Sequence, residues 1–185
     1  MSDRWLYDSF AERWYRPGGT IWLYSDPHFA DDEMKYLRKD YIGDDEQVKH
    51  INKVCGKYDT LIILGDIGDK EYVRKLKAGY KVLVMGNHDE GAENFKDYFD
   101  EVYEGAVIVG PKLILSHEPI DFPYALNIHG HDHSGWADDS RVTNLCAEWI
   151  DYTPVNLRWI CESGALKKIP DIHRETIDKA IARKR

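Results

Sequence analysis

The stretch Leu61-Ile62-Ile63-Leu64-Gly65-Asp66 decides the fold of this chain. Its four apolar residues include two β-branched ones, which is typical of a short strand buried on both faces. Strands of this kind belong to parallel sheets, and open α/β sheets bind their ligands just beyond the carboxyl ends of the strands. Asp66 stands at such an end, so we place its carboxylate at the centre of a functional site.

Four further apolar runs end in side chains that bind metals or move protons. They are Thr20–Ser25 with Asp26 and His28, Lys81–Met85 with Asn87, His88 and Asp89, Leu113–Leu115 with His117, and Leu126–Ile128 with His131 and His133. Helical stretches such as Asp44–Cys55 separate the first runs, which predicts βαβ units and a parallel sheet. After residue 100 the runs are short, and the Gly110-Pro111 turn predicts antiparallel hairpins. We expect all five strand ends to converge.

Both ends of the chain carry helical patterns. Trp5, Leu6, Phe10 and Trp14 recur at near-helical spacing, which favours a docked helix over an aromatic partner surface. Pro154 suits a first helical turn and predicts a helix over residues 154–163. A further helix is expected from about residue 171.

Composition narrows the class of protein. A chain of 185 residues predicts one domain over residues 1–185 with a sizeable core. Its net charge of −8 makes stable nucleic-acid binding an unfavourable interpretation. The three cysteines are far apart, which argues against a disulfide framework or a thiolate zinc site. No apolar run approaches the roughly 20 residues that a membrane helix needs. We expect a cytoplasmic monomer or homodimer that does not bind membranes.

The donor types at the strand ends indicate a metal centre. Aspartate, histidine and asparagine without thiolate suit manganese, iron, zinc or cobalt. Seven donors are too many for one tetrahedral zinc ion and suit two ions that share a carboxylate. Two divalent ions would also make the site attractive to phosphate despite the acidic chain.

These blocks resemble the calcineurin-like metallophosphoesterases. The resemblance covers residues 26–133 and rests on five blocks in order: Asp26-x-His28, Gly65-Asp66-x-x-Asp69, Gly86-Asn87-His88-Asp89, His117, and Gly130-His131-x-His133. The short chain and the sequence around His117 look most like the small bacterial and phage members. The resemblance implies an α/β fold with two mixed β-sheets packed as a sandwich and flanked by helices.

The resemblance also implies a role for each matching residue. One metal would be bound by Asp26, His28 and His133, the other by Asn87, His117 and His131, with Asp66 bridging the two. His88 would protonate the leaving oxygen as the general acid, and Asp89 would orient His88. Manganese is the expected ion, with iron, zinc, cobalt or nickel as alternatives. The expected reaction is hydrolysis of small phosphodiesters by hydroxide that the two metals activate.

Two other functions share this fold. A metal-dependent nuclease would be expected to carry capping domains and basic surfaces, for which this chain has neither length nor charge. A non-catalytic scaffold would be expected to lose His88 or a ligand, and none is lost here. Phe29 and Trp136 flank ligand blocks, where they either stack a base of the substrate or only pack.

Overall fold

Two β-sheets form the centre of the protein in the computed structural model. The structure describes residues 4–38, 40–135 and 141–184, apart from the side chain of Arg174. The strands are β1 (Ile21–Tyr24), β2 (Thr60–Ile63), β3 (Tyr80–Val84), β4 (Glu101–Tyr103), β5 (Val107–Gly110), β6 (Leu113–Leu115), β7 (Leu126–His129), β8 (Val142–Asn144) and β9 (Val155–Asn156). The α-helices are α1 (Asp8–Trp14), α2 (Met34–Leu37), α3 (Asp44–Val54), α4 (Leu157–Glu162), α5 (Ala165–Lys168) and α6 (Ile172–Ala182). Three 3₁₀ turns cover Lys70–Lys75, Ala92–Phe95 and Ala147–Ile150.

Both sheets are mixed, as the family resemblance implied. The first has the strand order β4-β3-β2-β1-β9, with β1 to β4 parallel and β9 antiparallel to β1. The second has the order β5-β6-β7-β8. Among the described strands its antiparallel pair is β5 with β6, which confirms the hairpin predicted at Gly110-Pro111. A hairpin of β4 with β5 is not formed, because β4 lies in the first sheet, and β6 to β8 are parallel. Residues 116–125 carry the chain from the carboxyl end of β6 back to the amino end of β7, so the two strands are parallel and their carboxyl ends lie at one edge.

The core lies on both faces of the first sheet. Ile62 belongs to a buried cluster that also holds Leu115 and Ile128 of the second sheet. Its neighbour Ile63 belongs to the cluster on the opposite face, together with Ile51 of α3. Successive residues of a strand point to opposite faces, so β2 is buried on both, which confirms the sandwich with flanking helices.

The amino-terminal helix docks on the sandwich. Leu6 and Trp14 are buried in the cluster between the sheets, and the hydroxyl of Thr60 donates a hydrogen bond to the Trp14 carbonyl. This confirms the docked helix rather than an aromatic partner surface.

The chain after residue 150 differs from its prediction. The helix expected over residues 154–163 begins only at Leu157, because residues 155 and 156 pair with β1 as strand β9. The Asn156 side chain then caps α4 by accepting hydrogen bonds from the backbone N–H groups of Arg158 and Trp159. The helix expected near residue 171 is present as α6. No helix in the described ranges has the length and apolar character needed to cross a membrane.

Burial at the sheet interface makes a direct prediction about stability. Ile128 is 0% exposed in β7, whereas Ile108 is 61% exposed in the edge strand β5. Ile128→Ala should lower the free energy of unfolding by about 2–5 kcal/mol, because it leaves a cavity. Ile108→Ala is the matched control and should cost less than about 1 kcal/mol. Urea titration measures both, and equal losses would contradict this account of the core.

Candidate metal centre

The structure brings all seven predicted donors together at the carboxyl ends of the strands. Each donor follows the end of its strand within a few residues, so the buried strand fixes the backbone just before it. The donors are Asp26 and His28 after β1, Asp66 after β2, Asn87 after β3, His117 after β6, and His131 and His133 after β7.

Three of these residues form one group. Asp26, His28 and His133 each offer a ligand atom, and the three atoms lie within 4.8 Å of one another. Nε2 of His133 is 3.5 Å from Oδ1 of Asp26, and Nε2 of His28 is 3.9 Å from the same oxygen. We call these three residues the inner triad, because the side chains of Asp26 and His28 are 0% and 8% exposed.

A second group combines two buried residues with an exposed one. Asp66, His117 and His131 also offer ligand atoms within 4.8 Å of one another. The side-chain oxygen of Asn87 lies 2.8 Å from Nε2 of His117 and 2.9 Å from Nδ1 of His131. Asn87, His117 and His131 are called the outer triad, since Asn87 and His131 are exposed.

Asp66 lies between the two triads. Its Oδ2 is 3.5 Å from Nε2 of His28 and 3.3 Å from Nε2 of His117. Its Oδ1 accepts a hydrogen bond from the backbone N–H of His88. One carboxylate thus reaches both groups, which is the geometry a bridging ligand needs.

The backbone is strained at the donors. Asp26, His28, Asp66 and His131 have φ values of 54°, 45°, 53° and 66°. Left-handed backbone is uncommon outside glycine and clusters at functional sites. Gly86 and Gly130 are needed beside these turns, because a Cβ would lie 2.2 Å from Oδ1 of Asp66 at Gly86 and 2.0 Å from Oδ2 of Asp26 at Gly130.

The surroundings of His117 favour its protonated form. Its Nδ1 donates to the Leu64 carbonyl at 2.8 Å, and its Nε2 points at oxygens of Asn87 and Asp66. Burial lowers the pKa of His117, but the carboxylates of Asp66 and Asp26 outweigh burial and raise it to about 9. Burial raises the pKa of Asp66, and hydrogen bonds from His117 and the His88 backbone bring it down to about 2.

His28 shows that the donors fit a cation. Its Nε2 is buried without a hydrogen-bond partner and faces carboxylate oxygens of Asp26 and Asp66. Burial and the charge of Arg38 lower the pKa of His28, so the neutral ring is favoured. A buried lone pair between two carboxylates is costly without a partner, and a divalent metal ion satisfies all three groups.

His88 and Asp89 lie at the same edge but do not contact each other as predicted. The His88 side chain is exposed, and its ring centroid is 5.6 Å from that of His28. Asp89 accepts hydrogen bonds from the backbone N–H groups of Asp66, Ile67 and Gly86. No hydrogen bond joins the Asp89 carboxylate to the His88 ring within the described ranges, and the orienting role of Asp89 stays a prediction.

Sequence reasoning missed two residues behind the inner triad. Glu148 lies 2.6 Å from Nδ1 of His133, and the buried guanidinium of Arg38 donates to the Asp26 carbonyl at 2.6 Å. Neither residue belongs to one of the five blocks, so the sequence analysis did not single them out. Phe29 is buried and stacks on Tyr72 at 5.0 Å, which makes it a packing residue. Trp136 lies outside the described residues.

Comparisons with known proteins agree with this geometry. Residues 19–184 match the family model of the calcineurin-like phosphoesterases. The chain belongs to this family. It is therefore a metal-dependent hydrolase of phosphoester bonds, and its family and its donor clusters both imply divalent metal ions.

Two solved structures are similar to this phosphoesterase. The protein of unknown function AQ665 from Aquifex aeolicus is 27% identical, with a TM-score of 0.60 over 78% of this chain and 98% of that chain. The nuclease MPE from Pseudomonas putida is 21% identical, with a TM-score of 0.42 over 63% of this chain and 62% of that chain. No match was found among curated proteins.

The raised pKa of His117 predicts how this phosphoesterase binds metal. A ligating Nε2 must first lose its proton, so metal binding at pH 7 should release protons. The affinity should increase about tenfold per pH unit between pH 7 and 8.5, because the proton competes less well as its pKa is approached. Calorimetric titration of the metal-free protein with Mn²⁺ in buffers of different ionisation enthalpy measures the proton count. An affinity that is constant over this range, with no proton released, would contradict the predicted state of His117.

Proposed function

We propose that this phosphoesterase hydrolyses small phosphodiesters with two divalent metal ions, manganese being the expected one. The inner triad would bind one ion and the outer triad would bind the other. Asp66 would bind both ions. The proposal is carried by one observation, namely two donor groups that share a single buried carboxylate. When bound, two such ions polarise phosphoryl oxygens and make water a stronger nucleophile at neutral pH.

His88 is the proposed proton donor to the leaving oxygen. Its exposed side chain lies at the mouth of the site, next to the donor Asn87 and close to His28. Imidazole is suited to proton transfer near pH 7. The hydrogen bond from its backbone N–H to Asp66 fixes the position of His88 relative to the bridging carboxylate.

Asp89 is proposed to support the donors through the backbone. By accepting three N–H groups, it ties the turn after β2 to the turn after β3. These turns carry Asp66 and Asn87, so the Asp89 carboxylate keeps a donor shared by both ions next to a donor of the outer triad.

A cavity beside the outer triad supports the proposal that the substrate is small and carries little negative charge. Its volume is about 320 Å³, and both Asn87 and His117 line it. Glu104 and Glu118 also line this cavity, so it repels the extra negative charge of a monoester dianion or a nucleic-acid strand. The nearby cation Arg38 is fully buried and bound to the Asp26 carbonyl, so it is not available to clamp a dianion.

The substrate class is tested by reconstitution with Mn²⁺. We expect kcat/KM to be higher for a bis-aryl phosphate than for the matching aryl phosphate. Asp66→Asn is the control for contaminating hydrolases, and it should weaken both metal sites because Asp66 lies between the triads. A higher kcat/KM for the monoester would overturn the diester assignment. Two bound ions with no hydrolysis of either ester would favour a scaffold, and preferential cleavage of single-stranded DNA would favour a nuclease.

The role of His88 predicts a dependence on the leaving group. His88→Ala should keep both ions but lower kcat by about 10²–10⁴-fold on an alkyl ester, whose alkoxide needs a proton. The loss should be clearly smaller on a nitrophenyl ester, since nitrophenolate leaves without one. His173→Ala, in the exposed helix α6, is the control and should change neither rate. Equal losses on both esters with metals retained would mean that His88 stabilises charge on the phosphoryl group instead.

A further inference from the structure

Glu148 lies directly behind the inner triad. It sits in the 3₁₀ turn Ala147–Ile150, its side chain is 8% exposed, and its Oε1 is 2.6 Å from Nδ1 of His133. The other oxygen of Glu148, Oε2, lies 3.4 Å from Nε of Arg38, so the side chain is an ion-paired carboxylate. An ionised carboxylate only accepts, so Nδ1 of His133 donates, and Nε2 is left to face Asp26 at 3.5 Å.

Arg38 holds Glu148 from the other side. The guanidinium is fully buried, and its Nε lies 3.4 Å from Oε2 of Glu148 as an ion pair. Its Nη2 donates to the backbone carbonyl of Asp26. A buried cation is costly unless it is paired, so this arginine needs both acceptors. The result is a continuous set of contacts from Arg38 through Glu148 and His133 to Asp26.

We propose that Glu148 is a positioning residue for the metal ion of the inner triad, which rests on the function proposed above. It fixes the tautomer and the orientation of the His133 ring, so that Nε2 is presented to the ion. Glu148 itself is not a ligand in this proposal. Carboxylates that accept the second N–H of a ligating histidine typically strengthen metal binding by 10–100-fold.

The competing assignment is that Glu148 binds a metal ion itself. His133, Cys146 and Glu148 offer three donor atoms within 4.8 Å of one another. However, the Oε1 of Glu148 is already engaged by His133, and the thiol of Cys146 donates to Oδ2 of Asp26 at 3.4 Å. A protonated thiol is a poor metal ligand, so this group lacks the free donors that a third ion requires.

Mn²⁺ titration of the metal-free protein by calorimetry separates these assignments. Glu148→Ala should lower the affinity for one of the two Mn²⁺ ions by about 10–100-fold and leave the affinity for the other unchanged. Glu148→Gln should restore most of this affinity, because its amide oxygen still accepts from Nδ1. Glu101→Gln is the matched control, since Glu101 is a partly buried carboxylate that binds Trp14 and Tyr80 away from the donors. Glu101→Gln should change the affinity for neither Mn²⁺ ion.

A double-mutant cycle tests whether Glu148 acts through His133. If it does, the double variant Glu148→Ala/His133→Ala should bind Mn²⁺ no more weakly than His133→Ala alone. In ¹⁵N spectra of the metal-free protein, His133 should carry its proton on Nδ1, and Glu148→Ala should lose this preference. Thermal unfolding of the metal-free variants verifies that they are folded.

Three results would overturn the proposal: unchanged affinities in Glu148→Ala, the loss of a third ion, or a double variant weaker than His133→Ala. Absence of any bound Mn²⁺ in the unmutated protein would instead overturn the proposed function. The spectra would still report the His133 tautomer in that case, so the two failures are distinguishable.

Discussion

The buried carboxylate of Asp66 is the group on which the rest of the site depends. Its side chain is only 2% exposed, and an ionised carboxylate without water is costly unless hydrogen bonds and cations replace its solvation. One of its oxygens accepts the His88 N–H, and the other faces imidazole nitrogens of His28 and His117. Side chains from both β-sheets therefore meet at one buried negative charge. Among them, the protonated form of His117 supplies a positive charge that offsets it.

Several donor residues have a left-handed backbone conformation, which is unfavourable outside glycine and which the neighbouring sheets hold in place. Each left-handed residue costs roughly 1–3 kcal/mol and persists only where its surroundings fix it. Asp26 and Asp66 follow β1 and β2, which are paired in parallel along their whole length. The N–H of Asp26 donates to the Gly65 carbonyl, and Asp89 binds the N–H of Asp66. The turns are therefore joined to each other as well as to the sheet, which fixes the backbone of the donors.

The sequence predicted those parts of the molecule that follow from local pattern. The buried run of β2 and the polar residues after five strands were enough for the convergence of donors, because parallel strands end at one edge. Strand β9 was not predictable, since two residues carry no periodicity and their pairing with β1 is decided by tertiary structure. Arg38 and Glu148 were missed for the same reason. A buried ion pair between distant segments leaves no motif, and only the packing shows that both reach the inner triad. The three backbone contacts of Asp89 were not predictable either, because they depend on how two turns approach each other.

The two triads are supported in different ways. His133 of the inner triad is backed by a carboxylate, whereas His117 of the outer triad is backed by the neutral carbonyl of Leu64. A carboxylate behind an imidazole makes it a more basic ligand, while a carbonyl only orients it. Asp26 and His28 are buried, but Asn87 and His131 are exposed beside the cavity and His88. With two ions bound as proposed, the inner donors would hold an ion shielded from solvent, and the outer donors an ion that solvent can reach. A phosphoester entering through the cavity would meet the outer triad first, with Asp66 leading inward to the second position.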